Sequence, residues 1–224
     1  MASDDGGGPV GPRERGTPYL GLLVDWGGVM TGDVFDSFRG FCAHEGLEPD
    51  AVRRRFREDR SARELLIGLE TGTLPEEEFE RRFGAMLGVA APHLIERIFA
   101  GQTIDEQMLA AVERARDQGV RTGLISNSWG TSRYDRPLLA KLFDGIVISG
   151  EVGIRKPALA IYELGAERIG LTPPQCVFVD DLPFNLKPAA ELGMATVHHT
   201  SAAETVPQLE RLLGVELGYR LPRP

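Results

Sequence analysis

The sequence predicts an α/β fold in which a parallel sheet carries helices on both faces and a helical bundle is inserted after the first strand. From about residue 103 onward, short apolar runs alternate with helical segments, a pattern typical of a parallel sheet. Between residues 32 and 102 the texture is helical and poor in strands. We therefore expect a core of residues 19–31 and 103–218, a cap of residues 32–102 and a disordered tail over residues 1–18.

The first strand and the cap helices follow from local signals. Tyr19–Val24 is an apolar run that predicts a buried strand. Asp33 is expected to cap a helix that extends to Phe41, and the charged segment Arg53–Leu69 predicts one or two amphipathic helices. Two further helices are expected to begin near Pro75 and Pro92, because proline is tolerated in the first turn of a helix.

The core elements alternate along the rest of the chain. The expected strands are Val120–Ile125, Gly145–Ser149, Cys176–Val179 and Ala195–Val197. The expected helices are Ile104–Gln118, Arg136–Leu142, Pro157–Ile169, Leu186–Leu192 and Glu204–Leu213. Because the strands are predicted to be parallel, their carboxyl ends should all lie along one edge of the sheet.

Composition narrows the class of partner. The net charge of −8 argues against nucleic acid or an anionic membrane as the main partner, and an anionic substrate would need a local cation or a metal ion. Cys42 and Cys176 lie far apart, which favours a reduced, cytoplasmic setting. No apolar run predicts a signal peptide or a membrane span. Both a monomer and a homodimer fit the sequence.

Polar residues follow four of the predicted strands. Asp25, the run Ser126–Ser128, Lys156 and the pair Asp180–Asp181 should meet at one edge of the sheet, with Asn185 close by. Several carboxylates together favour a hard cation, and Mg²⁺ fits best because it shares its ligands with phosphate oxygens. The set contains a nucleophile, a metal site and hydrogen-bond donors, which are the parts of a phosphoryl-transfer site.

These motifs, in this order, resemble the haloacid dehalogenase (HAD) superfamily of hydrolases, whose core is a Rossmann-like sheet. Val177–Asp181 followed by Asn185–Pro188 is most similar to the branch that contains the N-terminal phosphatase domain of soluble epoxide hydrolase. The resemblance covers nearly everything from Tyr19 to about Leu213. It implies a Mg²⁺-dependent phosphohydrolase that acts on a small phosphorylated metabolite.

The resemblance also implies roles for single residues. Asp25 would be the nucleophile that becomes an aspartyl-phosphate, and Ser126 and Lys156 would hold the phosphoryl group. Asn127 would shape the pocket or contact the substrate. Independently of the resemblance, the loop that follows the second strand makes Ser128 and Trp129 candidates for substrate binding. The metal ligands would be Asp25, the carbonyl of Gly27 and Asp181, supported by Asp180 and Asn185.

Gly27 departs from the family pattern. The usual phosphatase of the family has a second aspartate at this position, which protonates the leaving group and later deprotonates water. Gly27 retains the carbonyl but lacks the acid, and general acid–base catalysis is worth about 10²–10⁴-fold. Three outcomes stay open: a substrate with a good leaving group, such as an acyl phosphate or a sugar 1-phosphate, a proton donor from elsewhere, or vestigial catalysis.

Residues around the predicted pocket have weaker signals. Trp129 and Arg133 lie on a loop that follows the second strand, and Phe35, Phe38 and Arg39 begin the cap beside the expected entrance. The basic run of residues 53–57 is expected to be a solvated helix face, because Glu58 and Asp59 follow it.

Two other functions remain open at this stage. Carbon–halogen hydrolysis uses the same nucleophilic aspartate and lacks the second one, but it requires no metal and gains nothing from Asp180 and Asp181. A catalytically weak or inactive protein that binds phosphate or a metabolite would keep the site without turnover.

Overall fold

The computed structural model describes residues 18–218, and its centre is a five-stranded parallel sheet. Its strands are β1 (Gly21–Val24), β2 (Arg121–Ser126), β3 (Gly145–Ile148), β4 (Cys176–Asp180) and β5 (Ala195–His198). They lie in the order β3-β2-β1-β4-β5. Strands β2 and β3 lie on one side of β1, and β4 and β5 lie on the other, so the direction of the strand order reverses beside β1. Such a switch point is where α/β sheets bind their ligands.

Helices form both the insert and the layers around the sheet. The insert contains α1 (Val34–His44), α2 (Ala51–Glu58), α3 (Arg60–Glu70), α4 (Glu76–Leu87) and α5 (Leu94–Ile98). The core contains α6 (Glu106–Asp117), α7 (Arg136–Leu142), α8 (Ser149–Val152), α9 (Leu159–Arg168), α10 (Pro183–Glu191) and α11 (Ala202–Leu213), with a 3₁₀ turn at Pro173–Gln175. The predicted α/β class is confirmed.

Local signals set several of the helix ends. The carboxylate of Asp33 accepts a hydrogen bond from the Phe35 amide at 2.6 Å and caps α1, as predicted. Asp59 divides the charged segment into two helices, because it ends α2 and its side chain caps α3. The prediction was wrong at α10, which begins at Pro183 rather than at Leu186, since a proline fits the first turn of a helix.

The central strand β1 is buried on both faces of the sheet. Leu22 and Val24 contribute to the hydrophobic cluster on one face, and Leu23 contributes to the cluster on the other. All three are completely buried, as expected for a parallel sheet covered by helices on both sides.

The insert has a hydrophobic cluster of its own, which includes Phe79, Phe83 and Leu94. The insert joins the core at a narrow neck, where Thr31 and Ile104 form an isolated antiparallel bridge. Among residues 18–218, no helix is long and apolar enough to span a membrane. The predicted disordered tail, residues 1–18, lies outside the described residues apart from Pro18.

Candidate active site

Three carboxylates meet at the carboxyl ends of β1 and β4. Asp25 directly follows β1, Asp180 is the last residue of β4, and Asp181 comes next. The two strands are neighbours that pair Val24 with Val179, so the residues that follow emerge at the same edge of the sheet. One oxygen from each carboxylate lies within 4.8 Å of the others. The structure thus brings these three acids together.

Lys156 supplies a buried positive charge to this cluster. Its side chain is completely buried, and its ammonium Nζ lies 2.8 Å from Asp25 Oδ1 and 2.7 Å from Asp180 Oδ2. Burial alone would lower the pKa of Lys156, but the two carboxylates raise it above its ordinary value. The lysine therefore remains charged and neutralises part of the negative cluster.

Asp180 is held in place from several sides. Its Oδ1 accepts hydrogen bonds from the Leu182 amide at 2.9 Å and from Asn185 Nδ2 at 3.0 Å. Its Oδ2 accepts from Lys156 Nζ at 2.7 Å and from Asn185 Nδ2 at 3.1 Å. Because both oxygens are engaged, Asp180 and Asn185 act as a scaffold that positions Lys156.

Asp25 presents one free oxygen to the cavity. Its Oδ1 accepts a hydrogen bond from the Trp26 amide at 2.7 Å in addition to the ion pair with Lys156. No residue from 18 to 218 donates a hydrogen bond to Oδ2. Burial and the neighbouring carboxylates raise the pKa of Asp25, against the opposing pull of Lys156.

The donor set around Asp25 fits a divalent cation. Asp25 and Asp181 offer carboxylate oxygens, and within residues 18–218 nothing donates a hydrogen bond to the Gly27 carbonyl. Burial and Asp180 raise the pKa of Asp181 to about 6, which indicates negative charge that a cation would relieve. The buried Oδ1 of Asn185 also has no hydrogen-bond partner in the described chain. Oxygen donors of this kind suit Mg²⁺.

Gly28 keeps the Asp181 carboxylate close to the loop that follows β1. Its φ angle is +74°, in the left-handed region that favours glycine. A Cβ atom at this position would lie 2.5 Å from Asp181 Oδ2. The absence of a side chain therefore makes room for the acid.

Ser126 ends β2 and lies at the cavity, where it was predicted. Its Oγ lies 2.8 Å from the hydroxyl of Tyr134, and the two groups share a hydrogen bond. Burial raises the pKa of Tyr134, so the phenol stays protonated. Tyr134 also packs against Trp26, with ring centroids 6.0 Å apart. The phenol thus helps to orient the serine.

Asn127 holds the backbone of Lys156. Its Oδ1 accepts a hydrogen bond from the Lys156 amide at 2.8 Å, and its Nδ2 donates one to the Lys156 carbonyl at 3.1 Å. Asn127 lines the cavity, but its side-chain polar atoms are already occupied in this way.

Ser128 does not line the cavity, which corrects its predicted role in substrate binding. The residue is completely buried. Its hydroxyl accepts a hydrogen bond from the Gly150 amide at 3.1 Å, and its own amide donates to Ser149 Oγ at 2.9 Å. Ser128 therefore ties the loop after β2 to α8.

Trp129 joins the core to the cap. It lies on a core loop, yet it packs into the hydrophobic cluster of the cap. Its ring centroid lies between 5.3 and 5.7 Å from the rings of Phe38, Phe56, Phe79 and Phe99. Part of the side chain also lines the cavity, as predicted.

Core and cap enclose one cavity of about 290 Å³ above the carboxylates. Its floor includes Asp25, Ser126, Lys156 and Asp181, and its lining is mostly apolar. The lining residues contributed by the cap or adjoining it include Val34, Phe35, Phe38, Phe56, Leu66 and Phe99. Of the expected entrance residues, Phe35, Phe38 and Arg133 line this cavity, whereas Arg39 forms an ion pair with Asp36. The volume is near the lower end of ligand-binding pockets, so it suits a small molecule.

Two acids of the cap contact core loops beside the cavity. Glu70 Oε2 lies 2.5 Å from Arg155 Nε, and the Glu70 side chain is almost completely buried. Glu76 accepts a hydrogen bond from the Thr131 amide at 3.0 Å. Burial raises the pKa of Glu70 to about 7, against the opposing effect of Arg155. These contacts dock the cap on the core.

The structure also adds residues that the sequence analysis did not place at the site. Tyr134, Glu70 and Arg155 all line the cavity, and so does Arg53, which was expected on a solvated face. Of these four, only Arg155 could have been singled out from the sequence, because it directly precedes Lys156, which was predicted at the site. The other three reach the cavity through the docking of the cap and the path of the loop after β2.

Comparison with known proteins places this site in a family. A family model described as haloacid dehalogenase-like hydrolase matches residues 22–193. This range contains all four strand-end motifs.

Two relatives illustrate the range of similar proteins. Bifunctional epoxide hydrolase 2 of Rattus norvegicus is 29% identical over 55% of this chain and 24% of its own length. Sesquiterpene phosphatase astK of Aspergillus oryzae is 27% identical over 86% of this chain and 85% of its own length. The chain spans 21–24% of the length of the mammalian relatives it matches. The resemblance to the epoxide hydrolase branch is thereby confirmed.

A solved structure shares the fold. The magnesium complex of HAD family enzyme bt-2542 from Bacteroides thetaiotaomicron covers 87% of this chain and 100% of its own, with a TM-score of 0.63 and 22% identity.

Proposed function

Because the chain belongs to the haloacid dehalogenase-like hydrolase family, we propose that it hydrolyses the phosphate group of a small phosphorylated metabolite with the help of Mg²⁺. The observation that supports this most directly is the buried Lys156 ammonium, which lies within 2.8 Å of both Asp25 and Asp180. A fixed positive charge beside a nucleophilic carboxylate suits the arrival of an anionic phosphoryl group.

The residues divide the reaction into two steps. In the first, Asp25 forms a bond to phosphorus while the bond to the ester oxygen breaks, and the ester oxygen keeps the electron pair. In the second, water attacks phosphorus, its protons pass to the surrounding water or phosphate, and Asp25 is released. Lys156 and the hydroxyl of Ser126 hold the phosphoryl oxygens in both steps.

Asp25, Asp181 and the Gly27 carbonyl would hold the metal ion. When bound, Mg²⁺ supplies positive charge that offsets the charge of the phosphoryl group. The magnesium complex of the Bacteroides enzyme and the phosphatase among the relatives support this proposal.

Gly27 limits the leaving groups that the enzyme accepts. No carboxylate stands two residues after Asp25, so the departing oxygen receives its proton from water. The best substrates are therefore phosphorylated compounds whose leaving group is stable as an anion, such as acyl phosphates or sugar 1-phosphates.

A substrate panel with and without Mg²⁺ tests the proposal. It compares acetyl phosphate and glucose 1-phosphate with simple alkyl phosphates, and Asp25→Asn serves as the inactive control. We expect Mg²⁺-dependent phosphate release that is lost in the variant and is fastest for the good leaving groups. Release of chloride from a 2-haloacid without Mg²⁺ would instead identify a dehalogenase. Phosphate binding without turnover would identify a binding protein.

A further inference from the structure

Two arginines at the cavity form no close ion pair within residues 18–218, and the carboxylates that act on Arg133, those of Glu76 and Glu96, do so from beyond 4 Å. Arg53 lies on α2 of the cap, Arg133 lies on the core loop that follows β2, and both line the cavity that contains Asp25. Among residues 18–218, neither guanidinium forms a hydrogen bond or an ion pair. This sets them apart from the adjacent Arg54, which lies 3.1 Å from Asp50, and from Arg155, which pairs with Glu70.

Each of the two guanidinium groups rests on an aromatic ring. The Cζ atom of Arg53 lies 4.7 Å from the centroid of Phe35, and that of Arg133 lies 4.2 Å from the centroid of Phe99. Stacking fixes the plane of a guanidinium group but does not use its N–H donors, which point outward from its edge. Both arginines therefore keep their donors available for an anion.

The positions of the charges separate the two ends of the cavity. Lys156, which serves the reacting phosphoryl group, lies at the strand ends on the core side. The arginines rest on Phe35, in α1, and on Phe99, just after α5, so they are at the cap side. The lining of the cavity as a whole is mostly apolar, and its other charged members away from the strand ends, Glu70 and Arg155, pair with each other. A ligand that satisfies both ends has an apolar middle and an anion at each end.

Resting on the proposed function, we propose that Arg53 and Arg133 bind a second anionic group of the substrate. The substrate is then a phosphate monoester whose small apolar body carries a carboxylate or a second phosphate at its far end. In a protein of net charge −8, these two cations at the cavity give the second anionic group of such a substrate a favourable binding site.

The test uses three phosphate esters of the same length: 6-phosphooxyhexanoate, its neutral amide and 1,6-hexanediol bisphosphate. All three have the same primary alkoxide leaving group, so the absence of an acid at Gly27 slows them equally and does not affect their ratios. For the parent protein we expect kcat/KM for the two esters with a second anionic group to exceed that for the amide by about 10- to 100-fold, the range for hydrogen bonds to charged groups. The carboxylate and bisphosphate arms show which anion is preferred.

The double variant Arg53→Gln/Arg133→Gln is expected to reduce this ratio to about 1, mainly through a higher KM for the two esters with a second anionic group. Arg54→Gln is the matched control, because Arg54 is on the same helix but pairs with Asp50, and it should keep the parent ratio. Equal rates for all three esters in the parent protein, or an equal loss on all three in the double variant, would overturn the inference.

A binding measurement separates this inference from the proposed function. Calorimetry with 6-phosphonohexanoate and its amide, in the presence of Mg²⁺, requires no turnover. A preference for the carboxylate that disappears in the double variant supports the second anion site even if no ester is hydrolysed. Equal affinity for the two phosphonates would refute it even if the enzyme is active.

Discussion

The side chain of Asn127 exchanges two hydrogen bonds with the backbone of Lys156, at 2.8 Å and 3.1 Å. The amide therefore fixes the point from which the lysine side chain reaches the carboxylates. Asn127, which was predicted to shape the substrate pocket, lines the cavity and also positions a charged group.

Asn127→Ala is expected to lower kcat by about 100-fold with little change in KM, because a small displacement of a catalytic group has effects of this size. Asn127→Asp keeps an acceptor for the Lys156 amide and should retain part of the activity. Steady-state kinetics with acetyl phosphate provide the measurement. A raised KM with an unchanged kcat would assign Asn127 to substrate contact instead.

Gly27→Asp should restore the missing acid. A Cβ atom here would lie 3.0 Å from Val34 Cγ2, a contact that a small movement of the valine relieves. We expect kcat for an alkyl phosphate to rise by about 10²-fold, and that for acetyl phosphate to change much less, since only the poor leaving group needs a proton. The double variant Gly27→Asp/Val34→Ala controls for crowding, and equal gains on both substrates would refute this explanation.

Gly28→Ala, one residue further on, should have the opposite effect. The added methyl group would approach Asp181 Oδ2 to 2.5 Å, and the φ angle of +74° strains any side chain. We expect Mg²⁺ affinity to fall by at least about 10-fold, in line with the loss on disturbing a metal ligand. Isothermal titration with Mg²⁺ measures this, and parent-like affinity would show that Asp181 is not a ligand.

Trp129→Ala should weaken the docking of the cap. The ring packs against four phenylalanines, and truncation of a large aromatic residue costs about 3 kcal/mol of the free energy of unfolding. Urea denaturation measures the loss. Phe184→Ala is the control, because Phe184 is 58% exposed and its truncation should cost less than about 0.5 kcal/mol. Equal losses would contradict this assignment.

Glu70 should make stability depend on pH. Its pKa is raised from 4.5 to about 7, so the folded state holds the proton more tightly than the unfolded chain. The stability that this group contributes is fully present below about pH 4.5 and is lost as the pH rises through 7. Glu70→Gln removes this pH-dependent contribution to the free energy of unfolding. The Tm of the parent should therefore fall more between pH 5 and 8 than that of the variant. Parallel Tm curves would contradict the shift.

Residues at strand ends were predictable from the sequence. Asp25, Ser126, Lys156 and Asp180 each follow an apolar run or a short loop after one, and parallel strands bring such positions to one edge regardless of the details of packing. The role of Asn127 was not predictable, because it depends on where its amide points within that edge.

Residues that reach the cavity only because the cap packs on the core were harder to predict from the sequence. Arg53 belongs to a basic run whose neighbours Arg54 and Arg57 do form exposed ion pairs, and nothing in the spacing distinguishes it from them. Glu70 ends a helix of the cap, and only the contact with Arg155 gives it a place at the cavity. The positions of these two residues depend on how the cap packs against the core, and the hydrophobic periodicity of the sequence does not encode that packing.

The neck of the insert has a consequence for how such proteins diversify. Gly32 donates a backbone hydrogen bond to Thr103 at 2.9 Å, and Asp105 donates one to Met30 at 2.9 Å. The two chain segments that connect the core to the insert are therefore held side by side. All strands of the sheet lie outside this insertion, and so does every carboxylate of the proposed metal site. The segment can thus be shortened, lengthened or exchanged as a module between fixed attachment points. Such an exchange would replace Arg53 and Glu70 together and so change the lining of the cavity, while the carboxylate of Asp25 stays in place.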